Sequence, residues 1–272
     1  MGEPEELPAW SVPSDAVERI TTRWPDAVTR AWAWGDATGA GVRVCILDSG
    51  IEPEHPLVGE VQRSVVVSVD GDGAVTVADD AEGDLCGHGT ACAGIVRSLA
   101  PGCELTSVRV LGAGYTGSGE VLLAGLRWAV EAGFDVINMS LSTTKRKFAE
   151  ELHELADDAY FKRTMLVASA HNMPVESYPW RFASVVSVAS HGEDDPFVFY
   201  ANPSPPVEFF ARGVDLRVAW LGGATIVSTG NSFATPHITG ICALIRSKHP
   251  DLTPSELKSV LYLTSSNVGG ER

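Results

Sequence analysis

No apolar run in this chain comes near the roughly 18 residues that a membrane-crossing helix needs, so a membrane is not expected among its partners. The opening residues, Met1-Gly2-Glu3-Pro4-Glu5-Glu6, are acidic and lack an apolar h-region, so no secretory signal is read there. Glu6 also stands where an N-myristoylation site needs Ser or Thr. Basic charge is scarce: 20 Lys+Arg face 35 Asp+Glu, a net charge of −15. Nucleic acid is thereby excluded as the main partner, because phosphate binding needs a basic face. The charge keeps the chain soluble and leans its encounters toward cationic peptides. Five cysteines (Cys45, Cys86, Cys92, Cys103 and Cys242) form neither an even set nor a metal-ligand spacing. Reduced thiols in a cytoplasmic protein with no metal bound through them are the expectation. Internal repeats and low-complexity tracts are absent as well. What remains is 272 residues, 44% of them hydrophobic and 20% charged, enough for one large α/β domain with a substantial core.

Residues 1–35 are rich in Pro and Trp and read as a surface-lying N-terminal lead-in, with the folded domain over residues 36–272. From Arg43 onward, short apolar runs alternate with helical periodicity. The runs at Val42–Leu47, Val65–Val69, Leu105–Leu111, Asp135–Met139, Met165–Ala168 and Val185–Ala189 are partly β-branched, as buried strands are. Between them, Val121–Val130 and Lys145–Tyr160 each carry one apolar face at helical spacing. Further helices are expected from His88 to about Leu99 and from Phe233 to Lys248, and one is opened by the capping pattern Thr253-Pro254-Ser255-Glu256. Alternating strands and helices predict an α/β fold, a mostly parallel central sheet with helices on both faces. Catalytic groups then belong at the carboxyl ends of the strands, and Asp48 ends the first of them.

Three segments carry chemistry in chain order: Asp48-Ser49-Gly50, Gly87-His88-Gly89-Thr90 and Gly230-Asn231-Ser232-Phe233-Ala234. A hydroxyl needs a base to become a nucleophile, an imidazole can take and return the proton, and a carboxylate fixes the imidazole's tautomer. The order Asp, His, Ser, with Ala93-Gly94 after the histidine and Ala234-Thr235-Pro236-His237 and Gly240 after the serine, resembles the subtilisin family of serine proteases. The resemblance runs from about Val42 to Val268. It implies the family's three-layer fold, a peptidase domain over residues 36–272, and a triad of Asp48, His88 and Ser232. It also implies that Asn172, after the strand-like run Met165–Ala170, donates its side-chain amide to the oxyanion. Loss of that donor in subtilisin itself costs about 3–4 kcal/mol of barrier.

The same resemblance makes Gly117-Ser118-Gly119 a cleft-edge strand and Ser140-Leu141-Ser142 the opposite wall, sandwiching an extended peptide. Glu176, before Ser177-Tyr178-Pro179, falls near the floor of the specificity pocket, where a carboxylate would favour Lys or Arg as the scissile residue. Cys92 occupies the place of a free cysteine beneath the triad in the proteinase K branch, which implies sensitivity to mercurials. The calcium loop common after the histidine helix is missing between His88 and Gly102, so no cofactor is required there, and other calcium sites are left open. Departures fall around the serine. Asn231 and Phe233 stand where Thr and Met are usual, and His171 stands where many relatives have Gly, at a backbone cost if φ there is positive. The stretch Leu7-Pro8-Ala9-Trp10 is read as a passive tail, with an inhibitory lead-in near the cleft as the analogy with intracellular relatives. Gly112-Ala113-Gly114-Tyr115-Thr116-Gly117 also matches the dinucleotide pattern GxGxxG, but its glycines fall in the cleft edge and Asp135 opens a strand instead of ending one. Two functions are weighed: a serine endopeptidase that processes a dedicated peptide or precursor inside the cell, and a non-catalytic relative that holds a peptide without cleaving it.

Overall fold

The structure is a computed structural model and describes residues 9–13, 16–17 and 24–269. Along the chain run α1 (Arg30–Ala33), β1 (Arg43–Asp48), β2 (Arg63–Val69), β3 (Val75–Asp79), α2 (His88–Leu99) and β4 (Glu104–Arg109). Next come α3 (Gly119–Glu131), β5 (Val136–Met139), α4 (Ala149–Phe161), β6 (Met165–Ser169), β7 (Val186–His191) and β8 (Tyr200–Ala201). The chain ends with β9 (Phe209–Arg212), β10 (Leu216–Trp220), β11 (Ala224–Ser228), α5 (Asn231–Lys248) and α6 (Pro254–Thr264). Among the described residues nine strands form one sheet in the order β3-β2-β4-β1-β5-β6-β7-β9-β8, while β10 and β11 form a separate antiparallel ribbon. Every pairing in the main sheet is parallel except the two at its edges, β2 with β3 and β8 with β9.

Side-chain alternation along β1 divides the core between the two faces. Val44 and Ile46 join the cluster beneath α2 and α5, while Cys45 and Leu47 join the one beneath α3 and α4. Both faces being covered explains why the strands read as continuous apolar runs. β1 lies between β4 and β5, where the strand order reverses direction. The carboxyl end of β1 is therefore the switch-point crevice where α/β sheets hold their ligands, and Asp48 is its last residue. Gly89, in the first turn of α2, packs directly on the Gly50 carbonyl, and no Cβ fits between them. That close approach seats the histidine helix against the end of β1.

The lead-in is not wholly on the surface. From Trp24 it lies against the carboxyl end of α5: Trp32 packs on His249 at 4.2 Å, and Ala33 and Trp34 are buried. Ala9 and Trp10 are exposed, and Leu7 and Pro8 lie outside the described residues. Past α2 the chain turns through Ala100–Cys103 straight into β4. Arg97 pins this turn, its guanidinium donating to the carbonyls of Val58, Glu60, Pro101 and Cys103 at 2.7–2.8 Å. Replacing Arg97 with Gln is expected to cost about 2 kcal/mol, the scale of hydrogen bonds to a charged donor. Urea unfolding checks this, and an unchanged midpoint would show that solvent replaces those bonds freely.

Candidate active site

Asp48 is fully buried. Its Oδ1 accepts from the Ser49 amide and from His88 Nδ1, each at 2.8 Å. A carboxylate only accepts, so Nδ1 carries the proton and Nε2 is left with a free lone pair. Burial of His88 disfavours the imidazolium, but the charge of Asp48, its hydrogen bond and the charge of Asp84 outweigh this and hold the pKa above the ordinary imidazole value.

A second buried carboxylate, not singled out from the sequence, organises the start of α2. Asp84 Oδ1 accepts from Ser49 Oγ and from the amides of Cys86 and Gly87, and Oδ2 accepts from the amide and hydroxyl of Thr90. Ser49 Oγ in turn accepts from the Gly89 amide, and Thr90 Oγ1 from the Glu52 amide. These bonds satisfy helix donors that have no intrahelical partner and set His88 against Asp48. Arg109 donates from Nε and Nη2 to the two Asp80 carboxylate oxygens at 2.8 and 2.9 Å and from Nη2 to Glu82 at 2.7 Å, bracing the loop that carries Asp84.

Ser232 sits in the first turn of α5, where its own N–H is one of the donors left free by helix geometry. Ser140 Oγ donates to the Ser232 carbonyl at 2.8 Å and accepts from Asn138, whose other amide atom accepts from Thr239 within α5. The turn that carries Ser232 is thus tied to β5. Among the described residues Ser232 Oγ has no hydrogen-bond partner. Asn172 is held by its Oδ1, which accepts from the Asn231 amide at 2.9 Å. Asn172 Nδ2 and Ser232 Oγ face one space: a Cβ on Gly230 would lie 3.6 Å from the first and 3.3 Å from the second.

Asn231, a departure at sequence level, acts as a clamp. Its Oδ1 accepts from the amide and hydroxyl of Ser190 at 2.9 Å, and its Nδ2 donates to the carbonyls of Ala170 and His171 at 3.3 Å. Phe233 lies against the His88 ring at 5.3 Å. His171 does not adopt positive φ, so the expected strain is absent: its ring nitrogen accepts from the Met173 amide in an ordinary turn.

His88, Ser232, Asn172, Gly117, Ser118, Gly119, Ser140, Leu141 and Ser142 all line one cleft of about 480 Å³. Gly119 is the first residue of α3 instead of part of an edge strand, because Ser118 caps that helix, and the extended stretch is Thr116–Ser118. Glu176 is not brought to the cleft. Its carboxylate accepts from the Tyr178 hydroxyl at 2.6 Å and pairs with Arg181 at 3.3 Å. Among the described residues the lining contains no Asp or Glu, so the expected preference for a basic scissile residue finds no anion there. Within Gly112–Gly117 the chain makes a short 3₁₀ turn over Ala113–Tyr115 at the cleft rim and not the opening of a helix, as a dinucleotide site requires. Trp220, from the unforeseen β10–β11 ribbon, also lines the cleft and lies flat on Gly87, where a Cβ would meet the indole at 2.6 Å.

Asp48, His88 and Cys92 bring ligand atoms within 4.8 Å of one another. Asp48 and His88 are committed to each other, and burial followed by the Asp48 charge holds the Cys92 thiol far above its ordinary pKa, so a thiolate ligand is disfavoured. No resident metal is assigned to these residues.

The sequence model of the Subtilase family matches residues 39–272. The chain is 30% identical to Subtilisin DY of Bacillus licheniformis, over 85% of this chain and 86% of that protein. It is also 30% identical to the minor extracellular protease Epr of Bacillus subtilis over 90% of this chain, but spans only 38% of that longer relative. The crystal structure of a cold-adapted subtilisin-like serine proteinase superposes with a TM-score of 0.70 at 26% identity, covering 86% of this chain and 87% of that one. No helix among the described residues is long and apolar enough to cross a membrane. With a family match over most of the chain, a subtilisin-like fold and a homologous subtilisin covered over 86% of its length, the chain belongs to the subtilase family of serine endopeptidases.

Proposed function

We propose that the chain cleaves extended peptides through Ser232, His88 and Asp48. Ser232 Oγ attacks the scissile carbonyl carbon while His88 Nε2 takes its proton. Asp48 keeps Nδ1 protonated and stabilises the imidazolium. Asn172 Nδ2 and the Ser232 N–H donate to the oxyanion. His88 then passes the proton to the leaving amine, and water hydrolyses the acyl-enzyme by the same steps. The observation that carries this reading is the 2.8 Å bond from His88 Nδ1 to Asp48, in a cleft shared with Ser232 and Asn172. The Ser232–His88 contact forms with substrate, as such contacts often do. A fluorophosphonate is expected to label the wild type and not Ser232→Ala. Labelling that does not depend on Ser232, or none at all, replaces this reading with a peptide-binding relative that does not cleave.

The reaction needs no cofactor. Calcium is not assigned to the turn after α2, because the Arg97 guanidinium already supplies a cation to the Pro101 and Cys103 carbonyls; other calcium sites are left open. The partner is a peptide or protein in extended form, without nucleic acid. A cytoplasmic role, processing a dedicated peptide or precursor, is favoured by five unpaired cysteines.

A further inference from the structure

Tyr115 is the odd residue of the cleft rim. Its φ is +60°, a region that suits glycine and that a bulky side chain rarely adopts. Strained conformations of this kind persist where surrounding structure holds them, and they cluster at ligand clamps. Here the ring stands edge-on to His88 with centroids 5.9 Å apart, and the hydroxyl donates to the Cys86 carbonyl at 3.3 Å. Tyr115 therefore reaches from the turn before the extended Thr116–Ser118 across to the loop that carries His88, and it lines the cleft beside Leu111.

The position of this ring relative to a substrate follows from strand geometry. A peptide laid between Thr116–Ser118 and Ser140–Ser142 turns successive side chains to opposite sides. On the endopeptidase reading, the side chain of the scissile residue enters the gap between Ser140–Ser142 and Ala170–Asn172, which line the same cleft. The residue immediately before it, on the acyl side, then faces the other way, toward His88. The Tyr115 ring stands in that space. We propose that Tyr115 is a specificity-determining residue that restricts the position preceding the scissile residue to glycine or alanine. This rests on the endopeptidase reading above. The hydroxyl bond to Cys86 fixes the ring, and the φ strain marks the cost of placing an aromatic there instead of the glycine the backbone suits.

The test uses four fluorogenic peptides that differ only at this position, carrying Gly, Ala, Leu or Phe. Wild-type kcat/KM is expected to fall at least about tenfold from Ala to Leu, the scale on which a filled pocket rejects added methylenes. Tyr115→Gly, which suits the backbone and so folds, is expected to bring Leu and Phe level with Ala. Tyr115→Phe keeps the ring but loses the tether, and is expected to give an intermediate ratio. Equal rates across the series in the wild type, or a Tyr115→Gly ratio unchanged from wild type, overturns the proposal. Fluorophosphonate labelling of the same preparations separates the two failures: labelled enzyme with a flat profile sinks only Tyr115, while unlabelled enzyme sinks the endopeptidase reading.

Discussion

Replacing Asp48 with Asn is expected to lower kcat about 10⁴-fold while leaving the fold intact. The amide can present a donor to His88, which favours the tautomer with Nε2 protonated and removes the lone pair that takes the serine proton. The variant also shifts the pH profile. In the wild type, His88 is held above the ordinary imidazole pKa despite its burial, because the charge and hydrogen bond of Asp48 dominate. The base works only when neutral, so kcat/KM falls as pH drops through that raised value, and the acid limb inflects above about 6.5. With Asp48 neutralised, burial remains and its main counterweight is gone, so the inflection moves to or below the ordinary value. Pre-steady-state and steady-state rates on an ester substrate across pH measure both effects. A loss under tenfold, or an inflection that stays put, would refute Asp48 as the partner that sets His88.

The second large effect concerns acid stability and a different histidine. His237 is buried in α5, where its Nδ1–H donates to the Phe233 carbonyl at 2.9 Å. Burial pushes its pKa down to about 4, opposed by the carbonyl bond and assisted by the charges of Arg212 and His191. Between pH 4 and about 6.5 the unfolded chain binds a proton that the native state refuses. Stability therefore rises with pH across this window, is complete above about 6.5, and is lost as pH falls toward 4. The amount is about 3 kcal/mol, from a difference of about 2.5 pKa units. His88 runs the other way: its folded pKa is raised, so its contribution is complete below about 6.5 and fades as pH rises through the folded value. The two windows do not overlap, so the slope below pH 6.5 separates His237 from His88. His237→Leu is expected to flatten the dependence of the urea midpoint between pH 4.5 and 7. If it retains the full wild-type slope, other groups drive the acid transition.

Much of the central sheet could be read from sequence because β1, β5 and β6 are buried on both faces and leave continuous apolar runs. The region from 192 to 230 could not. Its strands are short, and β11 alternates exposed with half-buried residues, which is as compatible with a loop as with a ribbon. Trp220 was lost with it, although it lies against the glycine before His88. Asp84 was hidden differently: it closes the acidic stretch Asp79-Asp80-Ala81-Glu82-Gly83-Asp84, where nothing local separates the buried acceptors Asp80 and Asp84 from the exposed Asp79 and Glu82. Only its place four residues before His88, within reach of the helix's free amides, could have marked it. Glu176 erred in the opposite sense, because a position near a pocket by resemblance says nothing of where a side chain with Tyr178 and Arg181 beside it will turn. At Asn231 the substitution was visible and its use was not, since its partners Ser190, Ala170 and His171 come from two other strand ends.

The two edges of the main sheet bear on how this molecule meets other chains. β8 is two residues long, and β3 runs antiparallel between Asp70-Gly71-Asp72-Gly73 and Asp79-Asp80. Short or charged edges of this kind deter strands of neighbouring molecules from adding on. The extended Thr116–Ser118 has no such guard, and in the proposed reading it receives the substrate backbone as a new strand. Recruitment of foreign β-structure is thus discouraged at the sheet's own margins and admitted at the catalytic cleft, where an unfolded segment meets the nucleophile and not a partner for aggregation.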